Sequence, residues 1–426
     1  MIVVILVFLA TLILGVPICA VLGLSGLTHI AVMGVDSYFN VVTQKVFAGM
    51  SVSSLTCIPF FIIAGELMNA SGVTQKLIDL VRALVGHFRG GLAYVVVLVA
   101  MILSAILGSA NAVAAILCAV IVPEMIHDGY RDDFSAALVC ASGVLGPVIP
   151  PSVTFVYFSV LSGVSVTAMF MGGAIPGILI GLGYIIIIRM QTKRLDLPRS
   201  TESFNLGTLL TAFVKAIPAL LVPLILVAGI TLGIFTPSES GAVAVAAAIA
   251  AGLIYRKFKI TMLPSVLMKS VPVTAGIFII IGFGNIMGWT MAVDKIPEKI
   301  SGAVLGFTQN GAVIIMLMFA ILLVVGCSME ATAAQLIFTP VLMPLAMAAG
   351  MDPIQFGVWF CIMITIGLVT PPVGMTLFVT SNITKIPLGR ISKQLLPFIA
   401  MAFIVTLMMA YIPDVIMFLP RLMGAA

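Results

Sequence analysis

A chain of 426 residues that is 62% hydrophobic and only 8% charged carries far less charge than a water-soluble domain, in which roughly a quarter of the residues are charged. Water is therefore excluded as its main solvent, and a polytopic membrane protein is implied. The net charge of +5 then reads as a record of topology and not as a footprint for nucleic acid.

Taken in chain order, apolar runs near the bilayer-crossing length of roughly 20 residues cover 2 to 16, 18 to 34, 52 to 70, 91 to 125, 133 to 164 and 166 to 189 in the first half. The second half repeats the pattern over 216 to 235, 239 to 255, 271 to 289, 311 to 348, 354 to 382 and 395 to 419. The N-terminal run has no basic n-region and continues into further spans, so it reads as mature chain and not as a leader. Segments 91 to 125 and 311 to 348 are too long for one span, and each is interrupted by a small polar patch, GSANA at 108 to 112 and GCSMEA at 326 to 331. Non-helical backbone at membrane depth must be covered by protein or line a wet cavity, so both are expected to be re-entrant hairpins. Stretches 36 to 50, 74 to 88 and 294 to 308 are amphipathic and read as interfacial arms. The six cysteines stand singly in apolar segments, as small buried hydrophobes.

A shift of 219 residues aligns the chain with itself. It pairs Ser51 with Ser270, Gly65 with Gly284, Met68 with Met287, Lys76 with Lys295, Ser109 with Ser328 and Ala112 with Ala331. The expected organisation is a first repeat over 1 to 195, a cytoplasmic linker over 196 to 215 and a second repeat over 216 to 426. Each repeat holds about five crossings and one hairpin; five is odd, so the repeats are inverted. With the N-terminus and C-terminus periplasmic, every Lys and Arg except Lys45, Lys295, Lys299 and Arg421 falls on the cytoplasmic side, as the positive-inside rule requires. Inverted repeats with broken helices are a secondary-transporter design. The fold class expected is all-α integral membrane, with two inverted-topology repeats that each carry a re-entrant hairpin.

Four discontinuities carry the candidate chemistry: the two hairpin tips and the Pro-Pro breaks GPVIPPS at 146 to 152 and GLVTPPVGM at 367 to 375. Tandem prolines remove amide donors and push the preceding residue out of helix, which leaves carbonyls unpaired. Oxygen ligands alone suit a hard cation such as sodium and no transition metal. In the first half the candidates are Ser104, Gly108, Ser109, Asn111, Gly146, Val148 and Pro151; in the second they are Gly326, Ser328, Glu330, Gly367, Thr370, Gly374 and Met375, with Thr332 beside them. Glu330 occupies the repeat position of Asn111 and serves as cation ligand, proton carrier or neutral buried acid. Helix N-termini after the breaks favour a substrate carboxylate; Ser152, Thr154, Thr376, Thr380, Ser381 and Asn382 are placed to line such a pocket or to bond their own helices. Glu66, the counterpart of Asn285, reads equally as a packing residue. No GxSxG, HExxH or phosphate-binding loop occurs, so no enzyme and no ATP-driven pump is expected, and no cofactor beyond the coupling ion.

The runs GVPICAVLG at 15 to 23, IPFFIIAGELMNASGV at 58 to 73, GPVIPPS, TPSESGAVA at 236 to 244, SMEATAA at 328 to 334 and TPPVGM at 370 to 375 span nearly the whole chain. Together they resemble the large M (DctM-like) subunit of tripartite ATP-independent periplasmic (TRAP) transporters. The resemblance implies a bacterial inner-membrane permease coupled to sodium, with a separate small four-helix Q subunit and a periplasmic binding protein that delivers an acidic substrate. It also implies an elevator motion. By position it assigns Ser109 and Asn111 with the 146 to 151 loop to one sodium site, and Ser328 and Glu330 with the 367 to 375 loop to the other. Family substrates include C4-dicarboxylates and sialic acids, and the chain's general look leans toward the sialic-acid branch. The rival readings are a stand-alone ion- or proton-coupled organic-anion transporter and a channel.

Overall fold

The computed structural model describes residues 2–198 and 204–425, and among them every regular element is helical. Nine of these helices are long and apolar enough to cross a membrane. In lipid each backbone N–H and C=O must find its partner within the chain, and helices achieve this locally. The first repeat runs α1 (Ile2–Ile13), α2 (Ile18–Met33), α3 (Phe39–Met50), α4 (Cys57–Ala70) and α5 (Val73–Val85). It continues with the hairpin α6 (Gly91–Leu107) and α7 (Ala110–His127), the broken helix α8 (Asp132–Gly143) and α9 (Val153–Ser162), and α10 (Val166–Arg194). The second repeat runs α11 (Leu206–Thr231), α12 (Pro237–Ile254), α13 (Leu263–Val293) and α14 (Ile296–Phe307). Its hairpin is α15 (Gly311–Ser328) and α16 (Ala331–Ala348), its broken helix α17 (Pro353–Gly367) and α18 (Met375–Thr384), followed by α19 (Leu388–Tyr411) and α20 (Asp414–Leu422).

The two repeats differ where α3 and α4 meet. In the first, the chain breaks between Ser51 and Thr56, where the Thr56 hydroxyl donates to the Ser53 carbonyl and the Cys57 thiol to the Ser54 carbonyl. In the second, Ser270 stands at the position of Ser51 but donates back to Val266 at 2.9 Å, and α13 runs unbroken for 31 residues through Pro272. A cluster of Ser and Thr competes with the helix for backbone partners, whereas a single proline in a membrane helix is accommodated by its neighbours. The helix therefore extends the expected span 271 to 289 at both ends. Likewise α11 begins ten residues before the expected span at 216, because Asn205 accepts the amides of Gly207 and Thr208 and caps it there. The expected final span, 395 to 419, is two helices separated by Ile412 and Pro413.

Packing sorts the helices into two groups. In one, α4 lies on α12, α2 and α3 lie on α13, and α11 lies on α5 and α12. In the other, α7 packs on α8 and α18, α16 on α9 and α17, and α19 on α8. The groups meet through α4 and α5 on α6, and through α13 and α14 on α16. Each group interleaves elements of both repeats. Within the second group, Phe158 of α9 sits 6.0 Å from Phe356 and 5.9 Å from Phe360 of α17, all fully buried. Such ring pairs contribute about 0.5–1.5 kcal/mol each beyond their buried area, and here they hold the helix after one break against the helix before the other.

Cationic residues expected to be cytoplasmic cluster with acids at helix ends. Arg82 meets Glu124 at 3.3 Å, Arg131 meets Asp133 at 2.8 Å, and Arg390 at the start of α19 meets Asp132 at the start of α8 at 2.6 Å. Elsewhere, Asp294 at the end of α13 pairs with the buried His29 of α2 at 3.2 Å and with Lys299 at 3.6 Å.

Candidate functional site

Both hairpins break over two residues. Helix α6 stops because Gly108 adopts a left-handed conformation (φ +59°) and its N–H returns to the Ser104 carbonyl at 3.2 Å. Ser109 is extended, and α7 starts at Ala110. In the second hairpin α15 runs on through Ser328, so the break falls at Met329 and Glu330. Glu330 is the N-cap of α16: its carboxyl accepts the amides of Thr332 at 2.8 Å and Ala333 at 3.3 Å, and the Thr332 hydroxyl at 3.0 Å. Ser109 and Ser328 are thus not equivalent despite their alignment. Ser109 caps without using its side chain, while Ser328 is exposed and donates to Val324 and Val325 of its own helix.

Each tip lies against the Pro-Pro break of its own repeat, and glycines make this approach possible. A side chain at Gly146 would stand 2.6 Å from the Ser109 carbonyl oxygen, and one at Gly108 would stand 3.0 Å from that of Pro151. In the second repeat a Cβ on Gly367 would lie 2.3 Å from the Gly326 backbone, and the Gly374 amide donates to the Cys327 carbonyl at 3.3 Å. Among the described residues, the carbonyls of Gly108, Gly146, Val148 and Pro151 accept no hydrogen bond, nor do those of Gly326 and Thr370. Gly367 and Gly374 already accept from Thr370 and Phe378, respectively. The Thr370 hydroxyl returns to Ile366 at 2.8 Å, that of Ser104 to Ala100 at 2.6 Å, and Met375 opens α18 with an exposed side chain. Hence the first tip and break present more free oxygen than the second.

The two tips share one cavity of about 230 Å³. Its polar lining comes from Ser109 and Asn111 on one tip, Glu330, Thr332 and Gln335 on the other, and Thr154 and Tyr157 on α9. Its far wall is apolar, from Ile62 of α4 and Val273 and Ile277 of α13, so the cavity sits on the seam between the two helix groups. Glu330 is the one charged residue among the lining residues. The first turns of α7, α9 and α16 all border it, bringing three helix N-termini with their partial positive charge to one place.

Of the expected substrate-lining residues, the cavity takes in Thr154 alone. Ser152 is fully buried and donates to Pro147 at 2.5 Å while accepting from the Phe155 amide, so it caps α9. Thr376 is buried and donates to the Asn111 side chain at 2.7 Å, a bond that joins the first hairpin to the second repeat. Thr380 bonds back to Thr376 at 2.9 Å, Ser381 to Ile386 at 2.7 Å, and Asn382 faces outward. Glu66 does not border the cavity; its counterpart Asn285 holds the Lys45 carbonyl at 2.7 Å.

Sequence reasoning missed Tyr157 and Gln335. Both line the cavity, both are buried (1% and 0% exposed), and the Tyr157 hydroxyl and the Gln335 Oε1 have no partner. The signal for them was spacing: Thr154 with Tyr157 and Thr332 with Gln335 are i, i+3 pairs, each on one helix face just after a break.

The family model for the DctM component of tripartite ATP-independent periplasmic transporters matches residues 5–415. A putative TRAP transporter large permease protein of Haemophilus influenzae is 38% identical over 414 residues, 96% of each chain. The 2,3-diketo-L-gulonate TRAP transporter large permease protein of Escherichia coli is 36% identical over 88% of this chain and 89% of its own. Other relatives are named for C4-dicarboxylate, for sialic acid and, as a protein named DctMQ, for isethionate. Among solved structures, the YdaH transporter of Alcanivorax borkumensis shares the fold, with a TM-score of 0.65 over 88% of this chain and 87% of its own at 14% identity. A match of this extent, on an all-helical chain with its hairpins and breaks in place, establishes that the chain belongs to the DctM family of TRAP transporter large permease subunits.

Proposed function

We propose that this chain is the sodium-coupled permease of a TRAP system, carrying an organic acid delivered by a periplasmic binding protein across the bacterial inner membrane together with a separate small subunit. The observation that carries the reading is the shared cavity, which three helix N-termini border and in which the one charged side chain is an acid. A carboxylate about 5 Å from Glu330 is opposed by about 3 kcal/mol at an effective dielectric constant near 20. A cation bound at the tips offsets that repulsion, so acid and cation bind together. The free carbonyls of Gly108, Gly146, Val148 and Pro151, with Ser109 and Asn111, supply one oxygen set for sodium, and Gly326, Thr370 and Glu330 supply the second.

The seam location supports an elevator. The apolar wall of Ile62, Val273 and Ile277 belongs to the arm-bearing group, and the polar wall belongs to the hairpin group. Sliding one past the other carries the cavity between the two sides while the ligand stays on the hairpin side. The distribution of Lys and Arg supports a periplasmic position for both termini.

The reading is tested by uptake into proteoliposomes holding this chain and its small subunit, with the binding protein and labelled acids of the kinds for which the relatives are named. Sodium-driven uptake that needs the binding protein and is lost in Glu330→Ala supports it. Uptake driven by a proton gradient without sodium overturns sodium coupling, and uptake without the binding protein supports a stand-alone transporter instead.

A further inference from the structure

We infer that a pocket at the cationic end of α10 holds an anionic phospholipid, with its phosphate on Arg189 and Lys193 and an acyl chain along an apolar floor supplied by α5, α6 and α10. The inference is independent of the cavity between the tips and rests only on the chain's place in a membrane.

The pocket has a volume of about 640 Å³ and lies where the end of α5 and the turn after it meet α6 and the last turns of α10. Three cations stand on its lining, Arg89, Arg189 and Lys193, and no acid does. Arg89 is already held, since its guanidinium donates to the Asp196 carboxylate and, at 3.2 Å, to the Leu197 carbonyl. Arg189 and Lys193 are exposed and have no acid partner among the described residues, whereas Arg82, Arg131 and Arg390 at other helix ends each meet one. One concave place thus carries two uncompensated positive charges. The Thr192 hydroxyl on the lining turns back to Ile188 at 2.7 Å. The Tyr94 hydroxyl, on a half-buried lining side chain, has no hydrogen-bond partner among the described residues and can donate to a phosphate oxygen.

The apolar floor decides what carries the anion. Val85, Leu98 and Ile185 line the pocket and are half-buried. Ile185, Arg189 and Lys193 are spaced i, i+4, i+8 and share one face of α10, so floor passes into cations over about 12 Å. Beside this face Ile178, Leu182 and Ile186 are exposed, which continues the apolar track along α10 away from the cations. A free phosphate would satisfy the cations and leave the floor wet. A phospholipid covers both, because its phosphate sits at the level where Lys and Arg reach the membrane interface, and basic pockets between membrane helices hold anionic headgroups in this way. The lining offers no carboxylate to the ammonium of a zwitterionic headgroup, so phosphatidylglycerol or cardiolipin fits better than phosphatidylethanolamine.

The test is native mass spectrometry of the purified complex of this chain with its small subunit, stripped of lipid and titrated with phosphatidylglycerol, cardiolipin or phosphatidylethanolamine. Glycerol 1-phosphate, a headgroup without chains, is added as competitor. The two anionic lipids are expected to bind saturably at least about tenfold more tightly than phosphatidylethanolamine, and glycerol 1-phosphate is expected not to displace them. Arg189→Gln and Lys193→Gln should each weaken phosphatidylglycerol binding about fivefold, the effect of removing one cation from an anionic lipid surface. Lys393→Gln, which removes an exposed cation of α19 outside the pocket, should leave binding unchanged. Equal binding of phosphatidylethanolamine and phosphatidylglycerol overturns the inference, and this comparison on the unaltered complex stands even where a variant fails to fold. A loss in Lys393→Gln as large as in Arg189→Gln also overturns it, because surface charge alone is then at work. Displacement by glycerol 1-phosphate makes the pocket a site for a soluble phosphate and overturns the lipid assignment.

Discussion

Alanine at Gly367 tests whether the contact between tip and break shapes the proposed second cation site. A Cβ there lies 2.3 Å from both the Cα and the carbonyl carbon of Gly326, and 2.7 Å from the carbonyl oxygen. Carbon atoms rest about 3.5–4.0 Å apart, so the tip must retreat by about 1.2 Å, and the atoms in the way are backbone that cannot swing aside. Overpacking of this kind costs about 1–3 kcal/mol, and the displaced Gly326 carbonyl is itself a proposed ligand. If that cost falls on the bound state, sodium affinity drops roughly 5- to 150-fold. The assay is the sodium dependence of acid binding by the purified complex, alongside its Tm. Gly276→Ala and Gly288→Ala in α13 are the controls, since a Cβ there meets nothing within 4 Å. A Gly367→Ala protein with unchanged sodium affinity would refute the reasoning, because the tip would then be free to move without consequence for the site.

Thr376→Val removes the hydrogen bond to Asn111; bonds between membrane helices average about 0.6 kcal/mol and reach about 1.7, so a small fall in Tm is expected, and it should vanish in the Asn111→Ala background. Glu330→Ala loses the cap of α16, about 0.5–2 kcal/mol, together with the sodium response. Glu330→Gln keeps an acceptor for the Thr332 and Ala333 amides and should recover the Tm without recovering the sodium response. The hydrogen bond from His29 holds the Asp294 carboxyl below the usual carboxylate range, with Lys299 assisting against burial. That pairing therefore stabilises the protein fully above the ordinary range and stops doing so as pH falls through the lowered value. Melting curves between about pH 7 and about pH 3 should show an acid limb that Asp294→Asn flattens; an unchanged limb contradicts the assignment.

Much of the architecture was legible because breaking a helix in lipid takes distinctive residues. The patches GSANA at 108 to 112 and GCSMEA at 326 to 331 and the two Pro-Pro pairs enclose the tips and breaks that the structure has. What stayed hidden depended on partners distant in sequence or on local caps. Nothing in the run around Ser51 tells that its repeat partner Ser270 bonds back into an unbroken helix. The sequence left open whether the hydroxyls of Ser152, Thr380 and Ser381 line a pocket or bond locally, and they serve their own backbone. Tyr157 and Gln335 sit in helices whose composition resembles any buried segment, and only the meeting of α9 with α16 sets them on one cavity. The alignment of Glu330 with Asn111 concealed a difference of role, since one caps a helix and the other reaches across to Thr376.

The central claim, that acid and sodium share the site between the two tips, is tested most directly by measuring both fluxes in the same proteoliposomes. Labelled sodium should enter with the acid in a fixed ratio, only when both are present, and Glu330→Ala should abolish the two together. Acid entry unaccompanied by sodium, at any gradient, would contradict the account.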